Sequence, residues 1–422
     1  MACGTSHGTT YQDEGERPPA TFSMLTDEPE ATRPLRQIAE AFHKLHPQSD
    51  LQISLLAGES SFYSLLSTKF AVGDSPDLML SQTSSSISLY ARGGYLMDLT
   101  DAPFLKRAAL RHKLLTLVDN RVYALPVEID VAGLIVNLDV LHRYGMESIP
   151  ATFPEFIESC RTLTANGLAY PIVLAGSDGI TLMRFIRQYL IENVYSHDPR
   201  FYSELLRGRG SWTGPAVRNA FSAFALIKTY ANSDVLQLGS GEALRRFAHG
   251  EAAFIIDSSG AIPVLRQTEP NLSFELVPPP WGDTAGDARA LVGVGSAVYA
   301  SAMTQQQQDV LTFLDLFSEG PISAAYDRAV GGAAPDGNGT LLLDPAIKYS
   351  GSLSGRLGGE WSPTDEWLPG FDLSFGRLVQ DWYAGRSTNS VLAALEQAHE
   401  RAMKSNPDYS RQLLAQREIS IR

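Results

Sequence analysis

Two cysteines in 422 residues, Cys3 and Cys160, are too few for a disulfide framework, so a small cross-linked scaffold is excluded. Long apolar runs are missing as well. No stretch approaches the roughly 18 consecutive apolar residues that cross a bilayer, and any membrane attachment would have to be covalent or through another protein. Basic residues are in deficit, 34 Lys and Arg against 47 Asp and Glu, for a net charge of -13. A phosphate backbone would be repelled by such a surface, which argues against nucleic acid as a partner. Phosphate loops, CxxC pairs and calcium loops do not occur, and His43 and His46 lack the spacing and the intervening Glu of a zinc helix. No metal or cofactor is expected.

What is present suits a globular protein, with 44% hydrophobic and 9% aromatic residues. The length exceeds what one hydrophobic core organises, so two domains are expected. Strand-like and helix-like segments alternate. TFSML is followed by a helical pattern over residues 33–46 that Pro47 ends, with Leu35, Ile38, Ala39, Phe42 and Leu45 on one face. LQISLL, a helix opened by Ser60 or Ser61 and running through Phe70, and PDLML come next. This βαβα order predicts an α/β fold in which mainly parallel sheets are flanked by helices. Beyond Tyr144, Thr152 and Glu155 match a capping box. YPIVLAG, helices over 181–195 and 215–230, AAFIID and LSFELVP then continue the alternation, while QQQQ at Gln305 begins a helix. Cys160 falls on the apolar side of the helix that Thr152 opens, where a buried, inert thiol is expected.

The stretch from Arg121 to Gly145 is the most unusual. Two strand-like runs, RVYAL and VAGLIVN, flank the acidic insert PVEID, which places Glu128 and Asp130 where strands pass between layers. Acids in such a place usually have a polar guest. Catalysis by acid pairs is the remote alternative: Glu128 with Asp130, or Asp365 with Glu366, working on a glycosidic bond. Adjacent acids are usually just solvated, and no enzyme is expected. Gly4-Thr5-Ser6-His7-Gly8 has the letters of a hydrolase elbow without the strand and helix that give them meaning.

The same insert and four further passages resemble ABC-transporter extracellular solute-binding proteins of the carbohydrate-binding cluster, a maltose-binding-protein-like group. SPDLML with ARGGYLMDLT, RVYALPVEID through FPEFIESCRTL, FAHGEAAFIIDSSG, VPPPWGD with LVGVGSAV, and AGRSTNSVLAALEQA stand in that family's order over residues 20–405. The resemblance implies a two-lobed periplasmic-binding-protein fold of type II. Each lobe would be discontinuous: 20–130 and 291–338 in the first, 131–290 and 339–422 in the second, with crossings near 129–133, 289–295 and 336–348. It implies a monomer that holds a mono- or oligosaccharide between the lobes and delivers it to permease subunits. Residues 1–19 read as a disordered lipoprotein tail, since Met-Ala-Cys-Gly is similar to what remains of a lipoprotein signal, with the lipid on Cys3. That would tether the protein to the extracellular face of a bacterial membrane.

Asp130, seven residues before Asn137, stands where the family has its cleft glutamate. Loops at the carboxyl ends of parallel strands converge on such clefts. They nominate Thr26, Asp27 and Glu28 after the first strand, Glu59, Ser60 and Tyr63 after the second, and Ser81 and Gln82 after the third. Ser177 and Asp178 follow PIVLAG, and Asp257 and Ser258 follow AAFII. Gly293 and Gly295 fit a close backbone approach or an ordinary bulge. Where the maltose-binding pattern has stacking tryptophans this chain has Ser81, Gly260 and, on or beside the third, Phe371 and Asp372, which speaks against long maltodextrins. Replacement ring platforms are Tyr63, Trp281, Trp361, Trp367 and Phe371. The candidate residues are rich in acids and poor in Arg and Lys, against phosphorylated or uronate ligands. An amino sugar or other cationic solute is the nearer alternative, with Asp27, Glu28, Asp130, Asp257 or Asp372 as counter-charges.

Overall fold

The computed structural model of the protein describes residues 20–56, 59–82, 85–107, 118, 121–286, 288, 291–332, 334–335, 341–342, 344–348 and 367–420. Its strands in chain order are β1 (Ala20–Thr26), β2 (Ser49–Leu55), β3 (Leu78–Gln82), β4 (Ala124–Pro126), β5 (Ile129–Asn137), β6 (Ile172–Val173), β7 (Phe254–Ser258), β8 (Phe274–Val277), β9 (Leu291–Val294) and β10 (Ser296–Ala300), with a short hairpin of β11 (Ala334–Pro335) and β12 (Leu341–Leu342). They form two separate five-stranded sheets. One runs β2-β1-β3-β10-β4; the other runs β6-β7-β5-β8, with β9 also paired to β5.

Period-two alternation explains why each sheet is covered on both faces. Along β1, Phe22 and Met24 enter one cluster with Leu35, Ile38 and Phe42 of the helix Thr32–Leu45 and Phe313 of the helix Gln307–Phe317. Leu25 turns the other way, to Phe62, Leu66 and Phe70 of the helix Glu59–Val72. In β5, Leu134 and Val136 face Phe156, Phe185 and Phe224, whereas Val131 and Ile135 face Leu244, Phe247 and Leu265. Two hydrophobic clusters thus belong to each sheet, and the halves pack separately. Cys160 is fully buried in the first of the second sheet's clusters, and burial pushes its thiol far up.

The parallel order expected from βαβα alternation holds for β2, β1 and β3 and for β6 with β7. The remaining pairs, β10 with β3 and β4 and β5 with β7, β8 and β9, are antiparallel. The sheets are therefore mixed. Strands that arrive from the other half enter at the end near the crossing and run against their neighbours. Local signals also hold: Thr152 Oγ1 accepts from Glu155 N–H at 3.3 Å to open the helix Phe153–Ala165. Glu155 Oε2 reaches one residue further than a standard capping box, accepting from Ala151 N–H at 2.9 Å. Asn137 caps the short helix Leu138–Arg143, accepting from Val140 N–H at 3.0 Å, and donates to Phe247 O.

Candidate functional site at the crossing of the two sheets

The chain leaves the first sheet at Pro126 and enters the second at Ile129; it returns between Val294 and Ser296. A third passage follows Val330, whose helix Gly320–Val330 packs on the first lobe, and reaches Ile347, which bridges to Leu276 of the second sheet. All three meet around Glu128. A Cβ added to Gly295 would lie 2.9 Å from the Glu128 carboxylate and 3.1 Å from Asp130 Cβ, and one added to Gly332 would lie 2.8 Å from Glu128 Cγ. A side chain at either position would crowd the buried Glu128 side chain. Gly293 is the sheet partner of Asp130.

Glu28, proposed above as a ligand acid, belongs to this junction instead. It is 5% exposed, and Ser296 Oγ lies 2.7 and 2.8 Å from its two carboxylate oxygens and 2.8 Å from Glu128 Oε2. A hydroxyl has one proton to donate, so two ionised carboxylates cannot both be satisfied by it. Burial, and next the facing Glu128, push the Glu28 carboxyl well above the usual range. Glu28 therefore serves the crossing, its buried carboxyl taken up by Ser296 and facing Glu128.

Around this junction lie two polar rims. On the second sheet, Asp130 Oδ1 accepts from Ser259 Oγ and from Val131 N–H, each at 2.9 Å. Asp257, at the end of β7 and opposite Gly133, accepts from Ser258 N–H at 2.9 Å and forms an ion pair with Arg184 of the helix Ile180–Leu190. Burial raises the Asp130 carboxyl, partly offset by the Ser259 and Ser258 hydroxyls and the Arg184 charge. Arg184 is held more firmly charged, chiefly by Asp257 and then by Asp130 and Asp178. On the first sheet, Asp27 follows β1, and burial pushes its carboxyl up to about 6 against the opposing Ser81 hydroxyl. Tyr63 OH lies 3.4 Å from Ser81 Oγ and donates to Gln82 O at 3.3 Å. Ser81 is buried, Gln82 is exposed, and the Tyr63 ring is half-buried beside Tyr90 at 6.4 Å.

The remaining candidates lie as follows. Ser177 and Asp178 are exposed; Asp178 accepts from Thr181 N–H and Oγ1 at the start of the Arg184 helix. Asp372 accepts from Leu373 N–H at 2.8 Å at the start of the helix Phe371–Tyr383, its carboxyl raised by burial and lowered by the Arg187 charge. Glu59 and Ser60 open the helix Glu59–Val72, with side chains outside the described residues, as are Cys3, Trp361, Asp365 and Glu366.

Trp281, Trp367 and Phe371 correct the expectation of ring platforms. They are 1%, 2% and 0% exposed. Trp281 packs on Phe185 at 4.9 Å and donates Nε1–H to Gln188 Oε1, Trp367 stacks on Phe375 at 4.8 Å, and Phe371 meets Trp212 at 5.1 Å. Their faces are taken by the core of the second lobe. Among the described ring candidates, Tyr63 keeps partial exposure. Two site residues were not foreseen, Arg184 and Ser259. Ser259 was within reach, one residue past the nominated pair. Arg184 had no local signal, since an arginine one turn into an amphipathic helix looks like a solvated one.

A polar junction between two separately packed sheets, with carboxylates, hydroxyls and one paired guanidinium on its rims, can hydrogen-bond a hydroxyl-rich neutral molecule. The comparisons with known proteins accord with this geometry. The melibiose/raffinose/stachyose-binding protein MelE of Bacillus subtilis is 24% identical over 288 residues, 66% of this chain and 64% of that protein, so the match spans just under two thirds of that relative's length. The multiple sugar-binding protein of Streptococcus mutans is 21% identical over 379 residues, 87% of this chain and 88% of that one. The solved structure of the solute-binding protein RafE in complex with raffinose superposes with a TM-score of 0.72 at 18% identity, covering 91% of this chain and 99% of the other. Residues 26–318, more than half of the chain, match the profile of one family, and the chain belongs to it: the bacterial extracellular solute-binding proteins.

Proposed function

We propose that this protein is the substrate-binding component of an ABC importer, which captures a mono- or oligosaccharide at the junction between its lobes and delivers it to membrane permease subunits. The observation that carries the reading is the rim of Asp130, Asp257, Arg184, Ser258 and Ser259 beside the crossing. Enclosing a sugar removes many hydroxyls from water, and each one left unpaired costs roughly 1–3 kcal/mol. A carboxylate accepts from two neighbouring hydroxyls and a guanidinium fork donates to two, so acids and a paired arginine answer both sides of a sugar's hydrogen bonding. Asp27, Ser81, Gln82 and Tyr63 supply the opposite rim, with Tyr63 as the ring on which a sugar face can lie. The names of the relatives, which bind raffinose, stachyose and melibiose, support an oligosaccharide.

The domain reading that goes with this is two lobes joined at 127–128, at 295 and beyond 330, rotating about the Glu128 junction. The protein works as a monomer outside the cell, and lipidation of Cys3 anchors it. Family membership supports binding without turnover. An amino sugar is disfavoured by Arg184, which places a positive charge among the acids. A thermal-shift screen over raffinose, stachyose, melibiose, xylo-oligosaccharides and glucosamine tests the proposal, because a ligand of the folded state alone raises the melting temperature by mass action. A shift with the neutral galactosides is expected. A shift with glucosamine alone, weakening as salt rises, would replace it with the cationic reading.

Asp130→Ala should cut sugar affinity at least tenfold, as loss of a charge-assisted hydrogen bond worth roughly 1.5–3 kcal/mol implies. It leaves both cores untouched. Calorimetric titration of wild type and variant checks this, and equal affinities would remove Asp130 from the site.

A further inference from the structure

The C-terminal helix Pro407–Ser420 belongs to the second lobe, where Tyr409 and Leu413 pack with Tyr202 and Leu205. Arg92 ends the helix Ser85–Arg92, whose Ile87 and Ala91 pack on the first sheet with Phe62 and Met79. These two helices nevertheless touch. Arg92 Nη2–H donates to Gln412 Oε1, and the guanidinium carbon lies 5.3 Å from the centre of the Tyr409 ring. Residues 320 apart in sequence, on opposite lobes, are joined at a point that is none of the three crossings.

That placement has a mechanical meaning. The crossings converge on Glu128, so a rotation of one lobe against the other turns about that junction, and any contact away from it is made over a limited range of lobe angles. A cation over a ring with a directed hydrogen bond beside it is short-ranged and is lost within a few ångströms of separation. We propose that the C-terminal helix is an interlobe latch: Arg92 docks on Tyr409 and Gln412 when the lobes approach and holds them together, setting how long a captured solute is retained. The inference rests on the reading of the two lobes as a hinged clamp. It assigns a role in closure to a helix outside the 26–318 family match and to a residue outside the polar rims.

The test uses the full chain with Arg92→Ala and, from the other side, Gln412→Ala. Each is compared with wild type in small-angle scattering without sugar and in stopped-flow dissociation of raffinose. Loss of the latch should raise the ligand-free radius of gyration, or speed raffinose release by roughly three- to tenfold at an unchanged association rate, the effect of losing the cation–ring contact in Arg92→Ala and the directed hydrogen bond in Gln412→Ala. Either change with an unaltered melting profile supports the latch. Unchanged radius and unchanged release in both variants overturn it. If wild type binds no sugar but Arg92→Ala still expands the free protein, the latch stands and the sugar reading falls.

Discussion

Gly331→Ala is expected to destabilise the protein by about 2–5 kcal/mol, from about 1–2 kcal/mol for a left-handed alanine and about 1–3 kcal/mol for the displaced neighbours. Gly331 ends the helix Gly320–Val330 with φ at +88°, a conformation that costs residues with a Cβ. Its added Cβ would also stand 2.3 Å from Ser259 O and 2.8 Å from Pro263 Cδ. The carbonyl is backbone, fixed by the hydrogen bond of Ile262 N–H to Ser259 O, and cannot swing aside like the end of a long side chain. Gly167 separates the two effects, because its φ is +100° and no heavy atom lies within 4 Å of its added Cβ. Gly167→Ala should therefore lose only the conformational part. Urea unfolding of the two variants reads the difference, and equal losses would mean that the third passage does not thread as tightly past Ser259 as the geometry requires. Because Ser259 also donates to Asp130, the Gly331 variant should bind sugar more weakly even where it remains folded.

Acid should weaken the second lobe through His399. This residue of the helix Thr388–Ser405 is 2% exposed, and its ring lies 5.3 Å from Phe371, 5.8 Å from Trp212 and 6.1 Å from Tyr202. Nε2 has no hydrogen-bond partner among the described residues. Burial disfavours the imidazolium and pushes the pKa down to about 4, with the Glu396 charge opposing. The folded pKa lies below the unfolded value of 6.5, so between these pH values the unfolded chain takes up a proton that the folded chain refuses. Stability is full above pH 6.5 and is lost as pH falls towards 4, by about 3 kcal/mol in all. His399→Phe keeps the ring and removes the titration. Across pH 7.5 to 4, the stability difference between wild type and variant should change by that amount. A constant difference would show that His399 titrates in the folded lobe as it does in the unfolded chain, and a change of opposite sign would show that it is protonated inside the lobe.

The alternating elements were legible because each rests on a short-range pattern. Leu35, Ile38 and Phe42 repeat at helical spacing and are buried together, and Thr152 with Glu155 marks a helix start that both side chains cap. The acidic insert was legible as well. Glu128 and Asp130 interrupt an apolar run, and they stand where the chain passes between the sheets. Trp281, Trp367 and Phe371 were misread because a large ring near a loop has the same local pattern whether it faces a cleft or a core. Glu28 was misread for a related reason. A strand-end acid is as polar when it faces Ser296 and Glu128 as when it faces a solute.

By itself the amino-acid order determined the elements, their two-fold grouping and the place of the crossing acids, since apolar periodicity and capping act over a few residues. Only tertiary structure decided which polar groups share a space. Arg184 pairs with Asp257 from 73 residues away, Ser296 sits between acids 268 and 168 residues distant, and Arg92 reaches Gln412 across 320. Such pairings follow from how two packed lobes bring distant segments together, and nothing in the neighbourhood of any one of these residues encodes its partner.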